Sequence, residues 1–418
     1  VLYWQMKNQT GGDLFMKHII LLCDGMADRP FDGLDGHTPM ELAHKPAMDA
    51  LARKSEVGLV KTVQDGMKPG SDVANLAVLG YDAREVYTGR SPLEAANIGV
   101  ELSDTDLAFR CNLVTLSGSG DYDALTIEDY CADDISTAEA DQIIQVLQKH
   151  FGGGEFDFYT GTNYRHCLVW HGGREDLPEL TPPHDITGRV IGDYLPKGEA
   201  ATPLRAMMEQ SVALLSSLPV NEARRARGLR PANAIWLWGQ GKRPQLPDFT
   251  AKNGVKGSMI SAVDLLKGIA RIAHMRVCDV PGATGYIDTN YEGKREAAVR
   301  ELKDGQDLVY IHLEGPDECG HRGEAQNKIH AIEDIDARIL APLLEEVAPL
   351  GDFDLLILPD HPTPLSIRTH ASEPVPYLLY RSSAPRADGP DHFTESAAAA
   401  TGITVPVGYT LIDRLLHG

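Results

Sequence analysis

Short apolar runs recur along this chain, and each of them ends at glycine, acidic or imidazole residues. The runs span 18–23, 234–238, 308–313 and 353–358. Continuous apolar runs of about four to eight residues are typical of strands that are buried on both faces of a parallel sheet. Stretches with helical spacing lie between them, most clearly over 325–348. Strands that alternate with helices predict a doubly wound, mostly parallel α/β sheet.

The middle of the chain has a different pattern. It is rich in glycine, aspartate and threonine and contains short strand-like runs such as 106–116 and 167–171. This pattern favours a second domain of the α+β class, inserted into the first. We predict that residues 75–230 form the inserted domain and that 16–74 and 231–418 form the domain around it.

Charge and cysteine usage restrict the partners and the compartment. The 39 basic and 60 acidic residues give a net charge of -21, which disfavours nucleic acid or an anionic membrane as the main partner. A small anionic substrate stays compatible, because local cations or metals can invert the field inside a pocket. The six scattered cysteines form no CxxC pair, which favours the reducing cytoplasm. Residues 1–15 lack the blocks of a signal peptide, and we interpret them as an extension without a predicted function.

Carboxylate and imidazole side chains lie at the ends of the predicted strands, namely Asp24, Asp317, Asp360 and His361. Two more histidines, His321 and His370, follow further along the chain. Because the carboxyl ends of parallel strands meet at one edge of the sheet, we expect these side chains to lie together. Such ligands suit Mn²⁺ or Zn²⁺ better than Mg²⁺, and two ions about 4 Å apart would use all six. Any one of them alone also fits a turn, a helix cap or a structural histidine, so only the joint pattern indicates a dinuclear site.

Ser71 lies where a predicted helix begins, directly after Gly70. Free N–H groups and the helix dipole at such a position favour a phosphate group. Taken alone, the serine fits a plain helix cap better than a phosphate carrier. A serine hydroxyl becomes a good nucleophile only when a base or a metal ion activates it, and one ion of the predicted pair would do so.

Several longer stretches then carry a resemblance to a known family. They span 18–28, 70–82, 87–96, 108–113, 236–241, 280–285, 314–323 and 359–364. With them the chain resembles the cofactor-independent phosphoglycerate mutases of the archaeal type, within the alkaline phosphatase superfamily. The resemblance implies an alkaline-phosphatase-like fold and an isomerase of glycolysis and gluconeogenesis. It would interconvert 3-phosphoglycerate and 2-phosphoglycerate through a phosphoserine, without bisphosphoglycerate.

The resemblance also implies roles for single residues. One metal ion, most typically Mn²⁺, would be held by Asp24, Ser71, Asp360 and His361, and the other by Asp317, His321 and His370. Ser71 would be the residue that is phosphorylated. His392 competes with His370 as a ligand, and we favour His370 because the Pro-Val-Pro run after it matches the family. Glu314 would lie near the metals without being a predicted ligand.

The inserted domain is expected to bind the substrate, because arginine binds carboxylate and phosphate through paired hydrogen bonds. The candidates are Arg110, Arg165, His166 and Arg189, together with Lys242 and Arg243 from the surrounding domain. Each arginine alone is also compatible with a plain surface position. His184 or Asp185 would accept the proton of the 2-hydroxyl group in the second transfer.

Three other functions stay open. A metal-dependent phosphatase on the same centre would release inorganic phosphate. A homoserine-kinase-like phosphotransferase would phosphorylate homoserine instead. A metal-binding protein without catalysis is disfavoured, because both the ligand set and Ser71 are intact.

Overall fold

The computed structural model describes residues 16–174 and 176–418. The predicted extension 1–15 therefore lies outside the described residues. The chain forms two compact units: the first unit comprises residues 16–87 and 246–418, and the inserted unit comprises residues 88–245. The inserted unit thus begins and ends later than the predicted 75–230.

Strands occur in both units. They are β1 (Lys17–Cys23), β2 (Glu56–Val60), β3 (Leu107–Ser117), β4 (Thr126–Asp129), β5 (Phe156–Thr162), β6 (Arg165–Trp170), β7 (Ala234–Lys242), β8 (Gly257–Ile260), β9 (Arg276–Cys278), β10 (Leu308–Leu313), β11 (Phe353–Leu358), β12 (Val375–Arg381) and β13 (Thr404–Val405).

The α-helices are mostly short. They are α1 (Pro39–Leu42), α2 (Pro46–Ala52), α3 (Ser71–Val78), α4 (Ala83–Val86), α5 (Arg90–Asn97), α6 (Thr137–Phe151), α7 (Thr202–Leu215), α8 (Pro219–Ala226), α9 (Phe249–Asn253), α10 (Asp264–Ile272), α11 (Tyr291–Lys303), α12 (Gly315–Arg322), α13 (Ala325–Asp334), α14 (Ala341–Val347), α15 (Glu395–Ala400) and α16 (Leu411–His417). Among the described residues, none of the helices combines the length and the apolar character that a membrane crossing needs.

An eight-stranded sheet forms the centre of the first unit, with strand order β13-β2-β12-β11-β1-β10-β8-β9. Its neighbouring strands are parallel except for β12, which runs antiparallel to both β11 and β2. Apolar residues of β1 and β10, such as Ile19, Leu21 and Ile311, are buried in the core of this unit. The doubly wound, mostly parallel sheet predicted from the sequence is confirmed.

The predicted long helix over 325–348 consists of α13 and α14 with a π-helical segment, Ile335–Leu340, between them. Asp336 in this segment is buried and accepts hydrogen bonds from the backbone N–H groups of Ala47 (3.0 Å) and Met48 (2.7 Å). These donors belong to the first turn of α2, where a helix leaves N–H groups without a partner. The π-helical turn therefore joins α2 to the long helix.

The inserted unit contains an antiparallel sheet with the order β4-β3-β6-β5, and β7 also pairs with β3. The prediction that the run 234–238 belongs to the sheet of the surrounding domain is wrong. Arg110 of β3 lies opposite Trp238, and Asn112 opposite Trp236. An apolar run indicates a strand but does not specify its partner. This pairing is also why the inserted unit extends to Gln245.

Candidate functional site

Three neighbouring strands of the first unit, β11, β1 and β10, end beside one another. Asp24 directly follows β1, and its N–H group donates to the carbonyl oxygen of Leu313 (2.9 Å). Asp360 and His361 follow β11, while Asp317 lies in the first turn of α12, just after β10. All of these acidic and imidazole side chains are buried. The expectation that strand ends bring them together is confirmed.

Asp24, Asp360 and His361 form one cluster, called here the Asp24 group. The Nε2 atom of His361 lies 3.6 Å from Asp24 Oδ1 and 3.4 Å from Asp360 Oδ2. The same Nε2 lies 3.1 Å from the hydroxyl oxygen of Ser71. Asp24 Oδ1 is buried without a hydrogen-bond partner, which leaves it available to a cation. Ser71 is the first residue of α3, as the sequence predicts.

Asp317, His321 and His370 form a second cluster, called here the Asp317 group. Asp317 and His321 are four residues apart on α12 and therefore share one helix face. His321 Nε2 lies 3.2 Å from Asp317 Oδ2, and His370 Nε2 lies 3.6 Å from Asp317 Oδ1. The two Nε2 atoms are 3.0 Å apart. Two imidazoles and a carboxylate thus point at one small region.

A hydrogen bond on the outer side of its ring determines which nitrogen of His321 faces the group. Its Nδ1 lies 3.0 Å from the carbonyl oxygen of Arg368. A carbonyl oxygen only accepts, so Nδ1 carries the hydrogen. When the ring loses its second proton, the lone pair of Nε2 therefore faces the Asp317 group, which is the form that a metal ion needs.

Thr363 connects the two groups. Its hydroxyl donates a hydrogen bond to Asp317 Oδ1, and its oxygen lies 3.3 Å from His361 Nδ1. Because that hydroxyl hydrogen is already used, Nδ1 of His361 donates to Thr363. Nε2 of His361 then holds a lone pair and accepts a hydrogen bond from Ser71.

The charges of the two groups differ. Burial, followed by the negative charges of Asp360 and Asp317, raises the pKa of Asp24 well above its usual range. Burial also opposes ionisation of Asp317, but hydrogen bonds from His321 and His370 hold its pKa well below the usual range. Burial lowers the pKa of His321, yet its bond to Asp317 prevails and raises that pKa to about 9. Buried carboxylates that repel one another need a compensating positive charge.

The donor sets of both groups fit divalent metal ions, because each combines carboxylate oxygen with imidazole nitrogen. All six carboxylate and imidazole ligands predicted from the sequence lie in one group or the other. His392 does not take the place of His370, since its Nδ1 lies 3.0 Å from Asp49 instead. The chain therefore carries two candidate sites for divalent metal ions.

Two buried residues at the site were not predicted from the sequence. Asn75 donates through Nδ2 to the carbonyl oxygen of Ser71 and to Asp360 Oδ2, both at 2.8 Å. It lies one helical turn after Ser71, a spacing that could have revealed it. His312 lies 2.8 Å from Asp24 Oδ2. The sequence feature that could have indicated His312 is the presence of a histidine inside the apolar run 308–313.

In the inserted unit, two arginines contact one carboxylate, and a third lowers its pKa. We call Arg90, Arg110, Arg165 and Glu94 the arginine cluster. Arg90 Nε donates to Glu94 Oε1 (2.8 Å), and Arg110 Nε lies 3.0 Å from Glu94 Oε2. Burial would raise the pKa of Glu94, but Arg110, Arg90 and Arg165 keep it below its usual value. Burial lowers the pKa of Arg110 to about 10. Arg90 and Glu94 were not predicted as site residues.

An aromatic side chain links His184 to the arginine cluster. The guanidinium carbon of Arg110 lies 4.6 Å from the ring centre of Trp238, and the His184 ring lies 5.3 Å from Trp238. Burial, followed by the charge of Arg110, lowers the pKa of His184, although Asp185 opposes this. The Asp185 side chain is exposed, with Oδ1 3.7 Å from His184 Nε2. A lowered pKa favours the neutral form of His184, which can accept a proton.

Other predicted substrate-binding residues lie elsewhere in the inserted unit. His166 is buried next to Arg165 in β6, so their side chains point to opposite faces of the sheet. Its Nδ1 accepts a hydrogen bond from the N–H group of Gly161 (3.1 Å). Arg189 donates to the hydroxyl of Tyr194 (3.2 Å).

Lys242 and Arg243 belong to the inserted unit, not to the surrounding domain as predicted. Lys242 is the last residue of β7 and lines an open groove with Arg174 and Gln240. Arg243 Nη1 lies 3.8 Å from Asp104 Oδ1. Their position follows from the pairing of β7 with β3.

Comparisons with known proteins agree with one another. A family model described as 2,3-bisphosphoglycerate-independent phosphoglycerate mutase matches residues 52–221. The chain is 47% identical over 401 residues to a probable mutase of this description from Geobacter sulfurreducens, covering 96% of this chain and 100% of the relative. It is 47% identical over 402 residues to such a mutase from Methanosarcina barkeri, covering 96% of this chain and 99% of the relative.

Solved structures show the same likeness. The PH0037 protein from Pyrococcus horikoshii superimposes with a TM-score of 0.78 at 29% identity, over 96% of both chains. A cofactor-independent phosphoglycerate mutase from Thermoplasma acidophilum superimposes with a TM-score of 0.63 at 27% identity, over 96% of this chain and 98% of the other.

Proposed function

This chain belongs to the family of 2,3-bisphosphoglycerate-independent phosphoglycerate mutases, and we propose that Ser71 carries the phosphoryl group during its reaction. The enzyme is an isomerase that interconverts 3-phosphoglycerate and 2-phosphoglycerate, and its substrate is a small molecule. One observation carries the proposal for Ser71. Its hydroxyl lies 3.1 Å from Nε2 of His361, within a cluster of buried carboxylates and imidazoles.

We further propose that two divalent ions, of which Mn²⁺ fits the mixed ligands best, are bound by these residues. One site comprises Asp24, Ser71, Asp360 and His361, and the other Asp317, His321 and His370. When bound, such ions lower the pKa of a serine hydroxyl and neutralise charge on a transferring phosphoryl group. Asp317→Asn is expected to lower the metal content. An unchanged metal content with full activity would remove Asp317 from the ligands.

The residues around Ser71 prepare it for both transfers. In the first, Ser71 Oγ loses its proton and forms a bond to phosphorus, while the bond to the 3-oxygen of the substrate breaks and that oxygen takes up a proton. In the second, the 2-oxygen takes the phosphoryl group while the bond to Oγ breaks. The N–H groups and the dipole at the start of α3 favour the phosphate that Ser71 carries in between. His184 and Asp185 stay our candidates for the base that accepts the proton of the 2-hydroxyl.

We propose that the arginine cluster binds an anionic group of phosphoglycerate. Arg90 and Arg110 contact Glu94 there, and the charge of Arg165 also lowers the pKa of that carboxyl, so the cluster contains more positive than negative charge. Arg165→Met should therefore raise KM for 3-phosphoglycerate. Arg189→Met is the matched control, because that guanidinium contacts Tyr194 instead. A larger effect at Arg189 would contradict the assignment.

Replacement of Ser71 tests the central proposal. Ser71→Ala should abolish formation of 2-phosphoglycerate in an enolase-coupled assay without bisphosphoglycerate, after chelation and re-addition of Mn²⁺. Its metal content should stay nearly unchanged, since the other ligands remain. The control is Ser396→Ala, which removes a hydroxyl group that donates a hydrogen bond to Glu41. Mass spectrometry of the wild-type enzyme during turnover should locate the phosphate on Ser71.

Two outcomes would contradict the proposal, one for the role of Ser71 and one for the mutase reaction. Retained turnover of Ser71→Ala would exclude Ser71 as the carrier. Release of inorganic phosphate without 2-phosphoglycerate from the wild-type enzyme would select a metal-dependent phosphatase. If neither product forms, an assay with homoserine and a phosphate donor tests the remaining alternative.

A further inference from the structure

A chain of three hydrogen bonds ends at Asp24, behind the Asp24 group. The N–H group of Val263 donates to the hydroxyl oxygen of Ser261 (3.0 Å). That oxygen lies 3.1 Å from Nδ1 of His312, and Nε2 of His312 lies 2.8 Å from Asp24 Oδ2. His312 is completely buried, and Ser261 is nearly so.

The groups at the two ends of this series of hydrogen bonds determine which group donates in each bond. In the ionised form that binds a cation, the carboxylate of Asp24 only accepts, so Nε2 of His312 carries the hydrogen that reaches it. In the neutral ring Nδ1 is then an acceptor, and the hydroxyl hydrogen of Ser261 is the donor it needs. Val263 N–H occupies a lone pair of the Ser261 oxygen, which leaves the hydroxyl hydrogen for His312. Each hydrogen bond therefore leaves the next group with the donor or acceptor that the following bond needs.

The two oxygens of Asp24 have different surroundings. Oδ2 is held by His312 at 2.8 Å, whereas Oδ1 lacks a hydrogen-bond partner and lies 3.6 Å from Nε2 of His361. A carboxylate that is anchored through one oxygen cannot rotate freely. Its other oxygen stays directed toward the ligand atoms of His361 and Asp360.

We propose that His312 is a positioning residue for the metal centre: it holds Asp24 in one orientation and leaves Oδ1 for a divalent cation. Residues that orient a metal ligand in this way typically change metal affinity by about 10- to 100-fold when they are replaced. The proposal rests on the proposed role of Asp24 as a metal ligand. It is independent of the role of Ser71 in phosphoryl transfer.

The test measures binding of Mn²⁺ alone to the full chain, by electron paramagnetic resonance of free Mn²⁺ during titration. His312→Leu removes the donor to Asp24 and should weaken one of two Mn²⁺ sites by about 10- to 100-fold. His312→Gln keeps an N–H donor near the position of Nε2 and should restore most of the affinity. This rescue would not occur if His312 only filled space in the core.

Two further variants identify the site and control for burial. Asp24→Asn should weaken the same Mn²⁺ site as His312→Leu. His18→Leu replaces another buried histidine of the same sheet, which lies near Asp354 rather than Asp24, and should leave both sites unchanged. If Asp24→Asn binds Mn²⁺ like the wild type, the metal assignment itself fails. If Asp24→Asn loses a site and His312→Leu does not, only the role of His312 fails.

His312→Leu replaces a buried polar side chain, so its folding must be checked by circular dichroism. If it does not fold, Ser261→Ala decides the question. This smaller change removes the donor to Nδ1 and should weaken the same Mn²⁺ site several-fold. Wild-type affinity at both sites in folded Ser261→Ala would overturn the proposal.

Discussion

Gly25 allows the Asp24 and Asp317 groups to approach each other. It directly follows Asp24 and has a φ of +60°. A Cβ atom at this position would lie 2.6 Å from Cα of Asp317 and 2.6 Å from the hydroxyl oxygen of Thr363. Backbone atoms cannot move away easily, so only glycine fits between the two ligand groups.

We therefore predict that Gly25→Ala destabilises the fold and lowers the Mn²⁺ content of the enzyme. Gly36→Ala is the matched control, because Gly36 also has a positive φ (+81°) but open space around its Cβ position. The control should cost only the conformational penalty of about 1 kcal/mol. Urea unfolding and metal analysis measure both effects. Equal losses in the two variants would contradict the steric argument.

Burial of His166 makes stability depend on pH. Its pKa is lowered from 6.5 to about 3, chiefly because burial disfavours the charged ring. Between these two pH values the unfolded state binds more protons than the folded state. Stability should therefore fall as pH decreases through this window, with a slope of at most about 1.4 kcal/mol per pH unit from this histidine. Above pH 6.5 its contribution is constant.

His166→Asn tests this dependence. Asparagine can keep an acceptor for the N–H group of Gly161 but does not titrate. Urea unfolding of both proteins at several pH values should show a smaller loss of stability for the variant between about pH 6 and pH 4. Parallel curves would show that His166 titrates normally in the folded chain.

At the scale of elements, one buried lysine holds a helix against the loop that contains His361. Lys328 of α13 is completely buried, and its Nζ donates to Asp28 Oδ2 (2.7 Å) and to the carbonyl oxygen of Thr363 (2.8 Å). Asp28 Oδ1 also accepts from the N–H group of Leu365 (3.2 Å). α13 is thereby tied to the segments that follow β1 and β11.

Lys328→Met should be strongly destabilising, by about 3–5 kcal/mol, because it leaves the carboxylate of Asp28 buried without its cation. The double variant Asp28→Asn/Lys328→Met removes that charge and should recover part of the loss. Lys267→Met is the control: its partner Asp279 is exposed, and such pairs contribute about 1 kcal/mol or less. Urea unfolding measures all three. A double variant no more stable than Lys328→Met would argue against coupling of the buried pair.

At the scale of the whole molecule, the inserted unit has its own core. Buried residues from both its sheet and its helices form one apolar cluster, including Phe109, Leu168, Trp236 and Leu204. Its buried Arg224 is paired with Glu139 (2.7 Å) inside the same unit. A segment with a separate core can fold alone.

We predict that a fragment of residues 88–245 folds by itself and unfolds cooperatively in urea, monitored by tryptophan fluorescence. A fragment of residues 75–230 is the matched control, because it lacks β7 and leaves one side of β3 without its partner. The control should not unfold cooperatively. Cooperative unfolding of both fragments would show that β7 is not needed.

All six cysteines are free and buried. Burial raises the pKa of several of their thiols, for example that of Cys167 to about 12, so they are poor metal ligands and nucleophiles. The cytoplasmic location inferred from cysteine usage stays a prediction. So does the expectation that nucleic acid and membranes are not partners.

Local sequence patterns were enough to predict β1, β10 and β11 of the first unit and the acidic and imidazole residues that follow them. Both are local patterns, and the rule that parallel strands end at one edge brings such residues together without further information. Ser71 at the start of α3 was also predictable, because the start of a helix is a local pattern.

The partner of β7, the pairing of Glu94 with Arg90 and Arg110, and the hydrogen bonds that orient His312 and His361 became visible only in the folded chain. An apolar run indicates burial but not which strand lies beside it, and β3 precedes β7 by more than a hundred residues. The direction of a hydrogen bond depends on the group at its other end, such as Ser261 for His312. These contacts join residues that are distant along the chain, so local sequence patterns do not predict them.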